Sequence, residues 1–361
     1  MEWLTSARRE ASAQANRFYQ GLIGYNVGVC LYEISDSSAA AVLEEALALL
    51  VATEDLRHRA VCETGFGRVL VDRGEFERAV GLLDHAQTTL AGLGVEAEVL
   101  DAANAAARAF LSAGKPEAAA ARLEPLLNVE GAPLDPRSRL VSLGLLTLAR
   151  CEARQYVAAS ESGRQALRIA EAAGDASDVL DARIVLARAE SLRGVPAAVQ
   201  ELRELAEEAD ASWTGPRRVR VMIFLAEAAR ADSPLEAYEL LDRVLAMPRE
   251  WAVGETAGIL ARLRADLESG PIRRGPGGEI VIDTERATYP RLQTALDLVE
   301  RRLVERALEK TGGNASAAAR LLGESRYRMF SLQRYLQGKT PRPSRGKSHE
   351  SKRRARRRQD G

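Results

Sequence analysis

The feature that most constrains this chain is a repeat with a period of forty residues. A small side chain returns at nearly constant spacing through the first two thirds of the sequence, at Ala39, Ala79, Ala119, Ala159, Val199 and Ala237. A second, mostly small residue stands twelve positions before each of these, at Val27, Gly67, Ala107, Thr147, Ala187 and Leu225. Small residues on two helices let their axes approach closely, so each unit is predicted to be an antiparallel helical hairpin. One hairpin cannot bury its own apolar face, so the hairpins must stack into an α-solenoid.

The composition favours helices over strands. Aromatic residues make up 5% of the chain, whereas the strong helix formers Ala, Leu, Arg and Glu are abundant. The β-branched and aromatic residues preferred in strands are sparse. We therefore predict an all-α protein, with the solenoid over residues 1–268 and a first helix over Met1–Gly24.

One copy of the repeat resembles a known family closely. The tetratricopeptide repeat is matched by Gly67, Leu70, Gly74, Phe76, Ala79, Leu83 and Ala86. The usual period of that family is about 34 residues, so forty implies longer helices. HEAT-like repeats also run near forty but lack this Gly-x-Phe-x-x-Ala turn. The resemblance covers roughly residues 25–250 and implies a superhelix whose concave groove binds a protein or peptide. The alternative is a repeat array that serves as a spacer or an oligomerisation surface.

Helix-breaking residues separate the repeats from a second predicted domain. Ser269-Gly270-Pro271 and Gly275-Pro276-Gly277-Gly278 are strong breakers, which predicts a linker over residues 269–289. The apolar spacing from Leu292 to Lys310 then predicts one amphipathic helix. Gly312-Gly313 ends it, and Asn314 offers a side-chain acceptor that would cap the next helix.

The residues after Asn314 follow the spacing of a helix-turn-helix. Ala319 is small enough for two helices to cross, and Gly323 suits a turn that requires positive φ. Met329 and Leu332 would bury the inner face of the second helix against Ala318 and Leu322 of the first. The sequence therefore predicts a helix-turn-helix domain over residues 290–337.

The segment Leu303–Leu336 resembles the factor-for-inversion-stimulation (Fis) family, a module that closes many bacterial enhancer-binding activators. The resemblance implies double-stranded DNA as a partner and a homodimer through residues 292–308, with Leu296, Val299 and Leu303 at the seam. The residues that it places against DNA are Asn314, Ser316, Ser325, Arg326, Arg328 and Arg334. Arginine bidentate to guanine is the commonest specific contact in the major groove.

Three residues of the segment depart from the family pattern. Glu324 stands where a buried aliphatic residue is usual, and Ser331 and Gln333 replace residues that are often Lys or Arg and Leu. These changes are expected to weaken both the core and the grip on phosphate. A degenerate helix-turn-helix therefore stays open as an alternative.

The charge of the chain is unevenly distributed. Residues 338–361 hold ten Lys or Arg against two Asp or Glu, residues 290–337 hold nine against five, and residues 1–289 hold 32 against 44. An acidic body with a basic end suits a chain of which only that end approaches a polyanion. The tail is predicted to be disordered and to add salt-sensitive affinity for DNA.

An enzyme finds no support in the sequence. We find no Ser/His/Asp set, nucleotide loop or metal-ligand spacing, and no cofactor is expected. Cys30, Cys62 and Cys151 are predicted to be buried free thiols. The N-terminus lacks the apolar core of a signal peptide and no segment approaches the ~20 apolar residues of a membrane span, so we expect a cytoplasmic, nucleoid-associated protein without a membrane partner.

Two functions remain from different classes. The first is a bacterial transcriptional regulator that binds a specific DNA sequence, with the repeats receiving a protein signal through protein–protein interaction. The second is a scaffold or adaptor with a degenerate helix-turn-helix. Enhancer-binding activators carry an ATPase before this module, and that domain is absent, so either it is lost or the chain is the end of a longer one.

Overall fold

A computed structural model describes residues 6, 9, 10, 16–128, 135–212, 215–248, 251, 252, 254–270, 272–274, 280–282 and 292–336. The chain forms two compact units, Met1–Ser269 and Gly270–Gly361, and each is considered by itself. The predicted basic tail and most of the predicted linker lie outside the described residues.

Between residues 16 and 269, the described part of the first unit contains six helical hairpins followed by one further α-helix. The first helices of the hairpins are α1 (Arg17–Glu33), α3 (Leu56–Asp72), α5 (Glu96–Ser112), α7 (Pro136–Glu152), α9 (Ala176–Leu192) and α11 (Pro216–Ala229). The second helices are α2 (Ala39–Val51), α4 (Phe76–Gly92), α6 (Pro116–Leu127), α8 (Tyr156–Ala173), α10 (Pro196–Ser212) and α12 (Pro234–Leu245). The helix starts of successive hairpins are forty residues apart from α3 to α11 and from α4 to α10, which confirms the predicted repeat.

The turn between the two helices has the same conformation in the first five hairpins. Gly74, Gly114 and Gly194 all adopt positive φ, between 70° and 91°. Ser35 and Arg154 occupy the same position of their hairpins, with φ 57° and 61°. In each case the N–H of the following residue donates to the carbonyl five residues earlier, for example Glu75 to Leu70 at 2.9 Å. This is the hydrogen bond that closes a helix with a left-handed residue.

Aspartates at the starts of three first helices form a second periodic feature, which the sequence analysis missed. The side chains of Asp55, Asp135 and Asp175 accept hydrogen bonds from backbone N–H groups in the first turns of α3, α7 and α9. These hydrogen bonds hold the pKa of Asp55 and of Asp175 below the usual range. The pKa of Asp135 is lowered first by the hydrogen bond from the Ser138 hydroxyl and then by the backbone N–H groups. The three residues are separated by multiples of forty, so the period itself could have revealed them.

The small residues of the repeat lie where two helices meet, as predicted. A Cβ on Gly67 would stand 2.8 Å from the Leu83 side chain, which shows how closely α3 and α4 approach. The helix α10 departs from the expected register, because Val199 is only partly buried while Leu202 is fully buried. Arg203 occupies the expected inward position and instead reaches out to Glu236 at 3.0 Å, so the buried stripe shifts by one residue.

The curvature of the unit follows from which helices touch. The first helices of successive hairpins pack directly on one another, whereas the second helices do so far less. The first helices therefore line the inner, concave side of the solenoid. The last helix of the unit, α13 (Gly254–Ser269), packs mainly on α5 and also on α11, both of them first helices. It therefore lies in the concave groove.

Two expectations for the N-terminal part of the chain are corrected. A single helix over Met1–Gly24 is wrong, because Asn16 is extended and its side chain caps α1 by accepting from the N–H of Tyr19. Cys62 and Cys151 are buried, as expected, but Cys30 is exposed. Burial raises the pKa of both buried thiols to about 12.

The described residues of the second unit form a strand pair and three helices. Strands β1 (Ile272–Arg274) and β2 (Ile280–Ile282) are antiparallel, with Ile272 opposite Ile282. This segment was predicted to be part of a linker, and the strand pairing was not predicted. The helices are α14 (Leu292–Lys310), α15 (Ala315–Leu321) and α16 (Arg326–Leu336). The predicted amphipathic helix has the expected bounds.

Candidate functional site

A small apolar core holds α15 and α16 together on α14. Its buried members are Val304, Ala307, Ala318, Ala319 and Met329, and Leu308 and Leu322 pack against them. Leu332 is also buried. Ala318 and Ala319 meet Met329 where the two helices cross, as the sequence predicted, and this core fixes which face of α16 points outward.

Two tight turns orient the helices. The Asn314 side chain accepts hydrogen bonds from the N–H groups of Ser316 and Ala317 at 3.1 and 3.0 Å, so it caps α15 as predicted. Gly323 has φ 68°, and the N–H of Glu324 donates to the carbonyl of Ala319 at 2.9 Å. The turn glycine therefore adopts the conformation that the sequence required.

The predicted DNA-contacting residues fall into two structural groups. Asn314, Ser325, Arg326 and Arg334 are exposed, whereas Ser316 and Arg328 are partly buried. Ser325 also caps α16, since its hydroxyl oxygen accepts from the N–H of Arg328 at 3.1 Å. All six residues lie on α15, on α16 or at the starts of these helices.

Arg328 is bound within its own helix turn. Its guanidinium forms an ion pair with the Glu324 carboxylate, with Nη1 and Oε1 3.4 Å apart, and about a third of the Glu324 side chain is exposed. Glu324 therefore does not break the core, contrary to the expectation that it weakens it. Its effect is electrostatic, because its carboxylate partly neutralises a cation beside the outward face of α16.

Two aromatic residues on that face were not predicted from the sequence. Tyr327 is 84% exposed and Phe330 is 58% exposed. Met329 and Leu332 point inward, and at 100° per residue Tyr327 lies nearly opposite them, with Phe330 and Arg334 beside it. The positions of the two inward residues could have identified this face from the sequence alone.

One face of α14 carries exposed apolar side chains. Val299 is 48% exposed and Leu303 is 50% exposed, while Val304 and Ala307 face the core. The side chain of Leu296, the third residue of the predicted dimer seam, lies outside the described part of the chain. The two described members of the seam are thus adjacent on one face, four residues apart.

The concave groove of the first unit contains buried charges where α13 lies in it. Glu255 is buried, and both of its carboxylate oxygens accept from Nη1 of Arg108, at 2.8 and 3.0 Å. Nη2 of Arg220 lies 3.7 Å from the same carboxylate. Burial would raise the pKa of Glu255, but Arg108 and Arg220 outweigh it and hold the pKa below its usual range.

A second charged group joins the other half of α13 to the groove. Arg188 is almost fully buried and pairs with Glu152 and with Glu227, the latter at 2.8 Å. Glu152 also binds Arg262 of α13. The Arg188 guanidinium lies over the Phe224 ring at 4.6 Å. Desolvation opposes the charge of Arg188, but the carboxylates outweigh it and the pKa is raised.

Together the fold and the C-terminal helices define a helix-turn-helix protein with a tetratricopeptide-like solenoid. Residues 295–327 match the family described as "Bacterial regulatory protein, Fis family". The chain thus carries a Fis-type DNA-binding module of transcription regulators, and the match ends at Tyr327, before the rest of α16. None of the curated proteins is similar enough in sequence to match the chain.

Solved structures resemble the chain in fold. A Rap protein complexed with competence and sporulation factor is 15% identical, covers 90% of this chain and 87% of its own, and has a TM-score of 0.53. The apo form of RapI is 13% identical over 89% of this chain and 76% of its own, with a TM-score of 0.49. Kinesin light chain TPR-like repeats of Podosopora anserina are 25% identical over 54% and 96%, with a TM-score of 0.43.

The described residues were also searched for a membrane-spanning helix and for a metal site. No described helix combines the length and the apolar character that crossing a membrane requires. Within the same part of the chain, no three His, Cys, Asp or Glu side chains are grouped as a metal site would need.

Proposed function

We propose that this chain is a bacterial transcriptional regulator that binds a specific DNA sequence through α16 and receives a protein partner through its solenoid. The observation that carries the proposal is the outward face of α16, which presents Arg326, Tyr327, Phe330 and Arg334 from a closed helix-turn-helix core. In proteins of this architecture the second helix enters the major groove with its N-terminal residues at the base edges.

Each exposed residue has a role that fits its chemistry. Arg326, in the first turn of α16, would pair with guanine, and the rings of Tyr327 and Phe330 would contact thymine methyl groups. Asn314, Ser316 and Ser325 would donate hydrogen bonds to phosphate oxygens, which position the protein without reading sequence. The positive charge of the C-terminal region supports the same partner.

The test is DNA binding by the full chain. Duplexes selected from a random pool would be titrated by fluorescence anisotropy at two salt concentrations. We expect Arg326→Ala with Arg334→Ala to abolish preference for the selected sequences. Arg264→Ala is the matched control, because Arg264 is also an exposed arginine and lies on α13 of the other unit, paired with Glu268. It should bind like the wild type.

Deleting residues 338–361 distinguishes the contribution of the tail to DNA binding from that of the helix-turn-helix. We expect the deletion to lower affinity for all sequences alike and to reduce the dependence of log K on log salt by about 0.9 for each lost phosphate contact. The ratio of specific to non-specific affinity should stay close to that of the full chain. Loss of that ratio would mean that the tail contributes to sequence recognition.

The second candidate function is an adaptor with a degenerate helix-turn-helix. The ion pair of Arg328 with Glu324 favours this alternative, because the Glu324 carboxylate neutralises one of the positive charges beside the outward face of α16. On this alternative, wild type and the double arginine variant would bind every duplex equally weakly, and high salt would remove the binding.

The proposal for the solenoid rests on its shape and charge. Its inner side holds the helix α13 through ion pairs of Arg108 with Glu255 and of Glu152 with Arg262, and a Rap protein of similar fold has been solved with a factor bound. We further propose that the protein acts at the nucleoid as a homodimer through residues 292–308, where Val299 and Leu303 are exposed.

A further inference from the structure

The helix α13 does not continue the stack of hairpins. A seventh first helix would pack on α12 as α11 packs on α10, but α13 contacts α12 only slightly and lies mainly against α5. At its start, Gly254 lies next to Asp72 of α3 and at its end the carbonyl of Leu267 accepts from the Tyr238 hydroxyl of α12 at 2.8 Å. Its first turn thus lies near the second hairpin and contacts Arg108 of the third and Arg220 of the sixth, and its last turn contacts the sixth again, so the helix lies across the concave groove between distant hairpins.

The face that α13 buries has a simple pattern. Glu255 is followed at intervals of four by Ile259, Leu263 and Leu267, and all four side chains are at most 4% exposed. The apolar three belong to the main core of the unit. The opposite face is solvated, with Arg264 and Glu268 paired in the open. Such a helix is bound as an amphipathic peptide is bound in a groove.

The groove is also charged to receive a carboxylate. Among the described residues, Glu255 is the carboxylate that is hydrogen-bonded to the Arg108 guanidinium. Nε of Arg220 is buried without a hydrogen-bond partner among the described residues. The guanidinium groups of Arg108, which is partly exposed, and Arg220 converge on the one buried carboxylate of Glu255. A segment that replaces α13 would form the same two ion pairs if it supplied a carboxylate there.

We propose that α13 is an internal ligand of the concave groove, and that the partner of the solenoid is a helical segment of another protein with the same face. That segment carries a carboxylate in its first turn and apolar side chains four, eight and twelve residues later. It binds by displacing α13. The inference deepens the proposed function, on which it rests for the statement that the solenoid receives a protein partner.

The probe is a fluorescent peptide with the sequence of residues 254–269, titrated with the full chain. In the wild type the groove is occupied, so the apparent affinity is reduced by the fraction of molecules in which α13 is displaced. Ile259→Asp with Leu263→Asp should release α13 and tighten peptide binding by at least about tenfold. Arg264→Ala, on the solvated face of α13, should leave the affinity within about twofold.

The chemistry of recognition is tested with the peptide itself. A peptide with Glu255→Gln should bind the released chain at least about tenfold more weakly, because Arg108 and Arg220 lose their anionic partner. Equal binding of the two peptides would overturn the requirement for a carboxylate. Failure of the released chain to bind the wild-type peptide, or equal binding by the released and wild-type chains, would overturn the proposal as a whole.

A further variant protects the test against misfolding. If circular dichroism shows that the double aspartate variant has lost helix, the full chain with Glu255→Gln decides, since it keeps the apolar packing of α13. It should bind the wild-type peptide at least about fivefold more tightly than the wild-type chain does. DNA binding of the same variants is measured separately, so a chain that binds peptide but not DNA refutes the regulator and leaves the groove proposal standing.

Discussion

At the residue scale, the left-handed turn positions show where this sequence carries local strain. Three of the five equivalent positions are glycine, and the other two are Ser35 with φ 57° and Arg154 with φ 61°. A side chain in this conformation costs about 1–2 kcal/mol because its Cβ crowds the following carbonyl. The fold tolerates the cost because the neighbouring hairpins hold the turn in place.

Arg154→Gly should therefore stabilise the protein. We expect the free energy of unfolding to rise by about 1 kcal/mol, measured by urea denaturation followed by circular dichroism. Gly114→Arg is the reciprocal control, because a Cβ at Gly114 would meet nothing within 4 Å and only the backbone conformation is tested. It should destabilise by a similar amount. An unchanged midpoint in both variants would show that the two turns are not strained.

The ion pair at the start of α16 gives a prediction about DNA. Glu324→Gln removes a negative charge next to Arg328 and releases its guanidinium. We expect DNA affinity to increase at low salt, and the dependence of log K on log salt to steepen by up to about 0.9, as one more phosphate contact forms. Glu309→Gln, an exposed carboxylate at the end of α14, is the control. A variant that binds no better would place Arg328 away from DNA.

The residues of the helix-turn-helix were predictable to the extent that their roles are local. Asn314, Gly323 and Met329 follow from capping, turn geometry and helical period, each within a few residues. The ion pair of Arg328 with Glu324 depends on the side-chain rotamers of both residues, which the sequence alone does not determine. Glu324 was expected to disturb the core because its position in the family is apolar, whereas a charged side chain can turn outward.

At the scale of elements, helix starts were predictable and the position of α13 was not. A period of forty residues fixes the hairpins because each one meets its neighbours through the same contacts. The sequence of α13 is an ordinary amphipathic pattern, and its partner Arg108 lies 147 residues before Glu255. The sequence around Arg108 and the sequence around Glu255 give no sign that the two residues form an ion pair. The strand pair was missed because three residues are too few to show an alternation.

The buried charge of α13 gives a pH-dependent prediction. Glu255 ionises more readily in the folded chain than at its ordinary pKa of 4.5. Its stabilising effect is therefore complete above pH 4.5 and is lost as the pH falls through the lower folded value. Glu255→Gln should cost on the order of 3 kcal/mol at pH 7, and the difference from wild type should shrink in acid.

The measurement is urea denaturation of both chains between neutral pH and about pH 3, which spans the ionisation of carboxyl groups. Glu268→Gln is the control, because that carboxylate pairs with Arg264 on the exposed side of the same helix. It should change stability by less than about 1 kcal/mol at any pH. A Glu255→Gln difference that does not vary with pH would mean that packing, not charge, holds the start of α13.

At the scale of the whole molecule, the proposed dimer depends on one face of α14. Leu303→Glu replaces one residue of the exposed apolar pair Val299 and Leu303 by a charged one. Leu303 is not part of the core, so the fold should be retained. We expect the variant to sediment as a monomer while retaining its helical content, and to bind a two-half-site duplex more weakly than the wild type. Arg302→Glu, next to it but already paired with Glu305, is the control. If the wild type also sediments as a monomer, the dimer proposal is wrong.

The path of α13 has a mechanical consequence. An open solenoid can change its superhelical pitch easily, because each repeat contacts only its neighbours. A helix anchored near the second hairpin at Gly254 and near the sixth at Leu267 ties distant coils together. The array should therefore be stiff and unfold as one cooperative body. Displacing α13 would restore its elasticity, so that a bound partner would change the length of the whole repeat array.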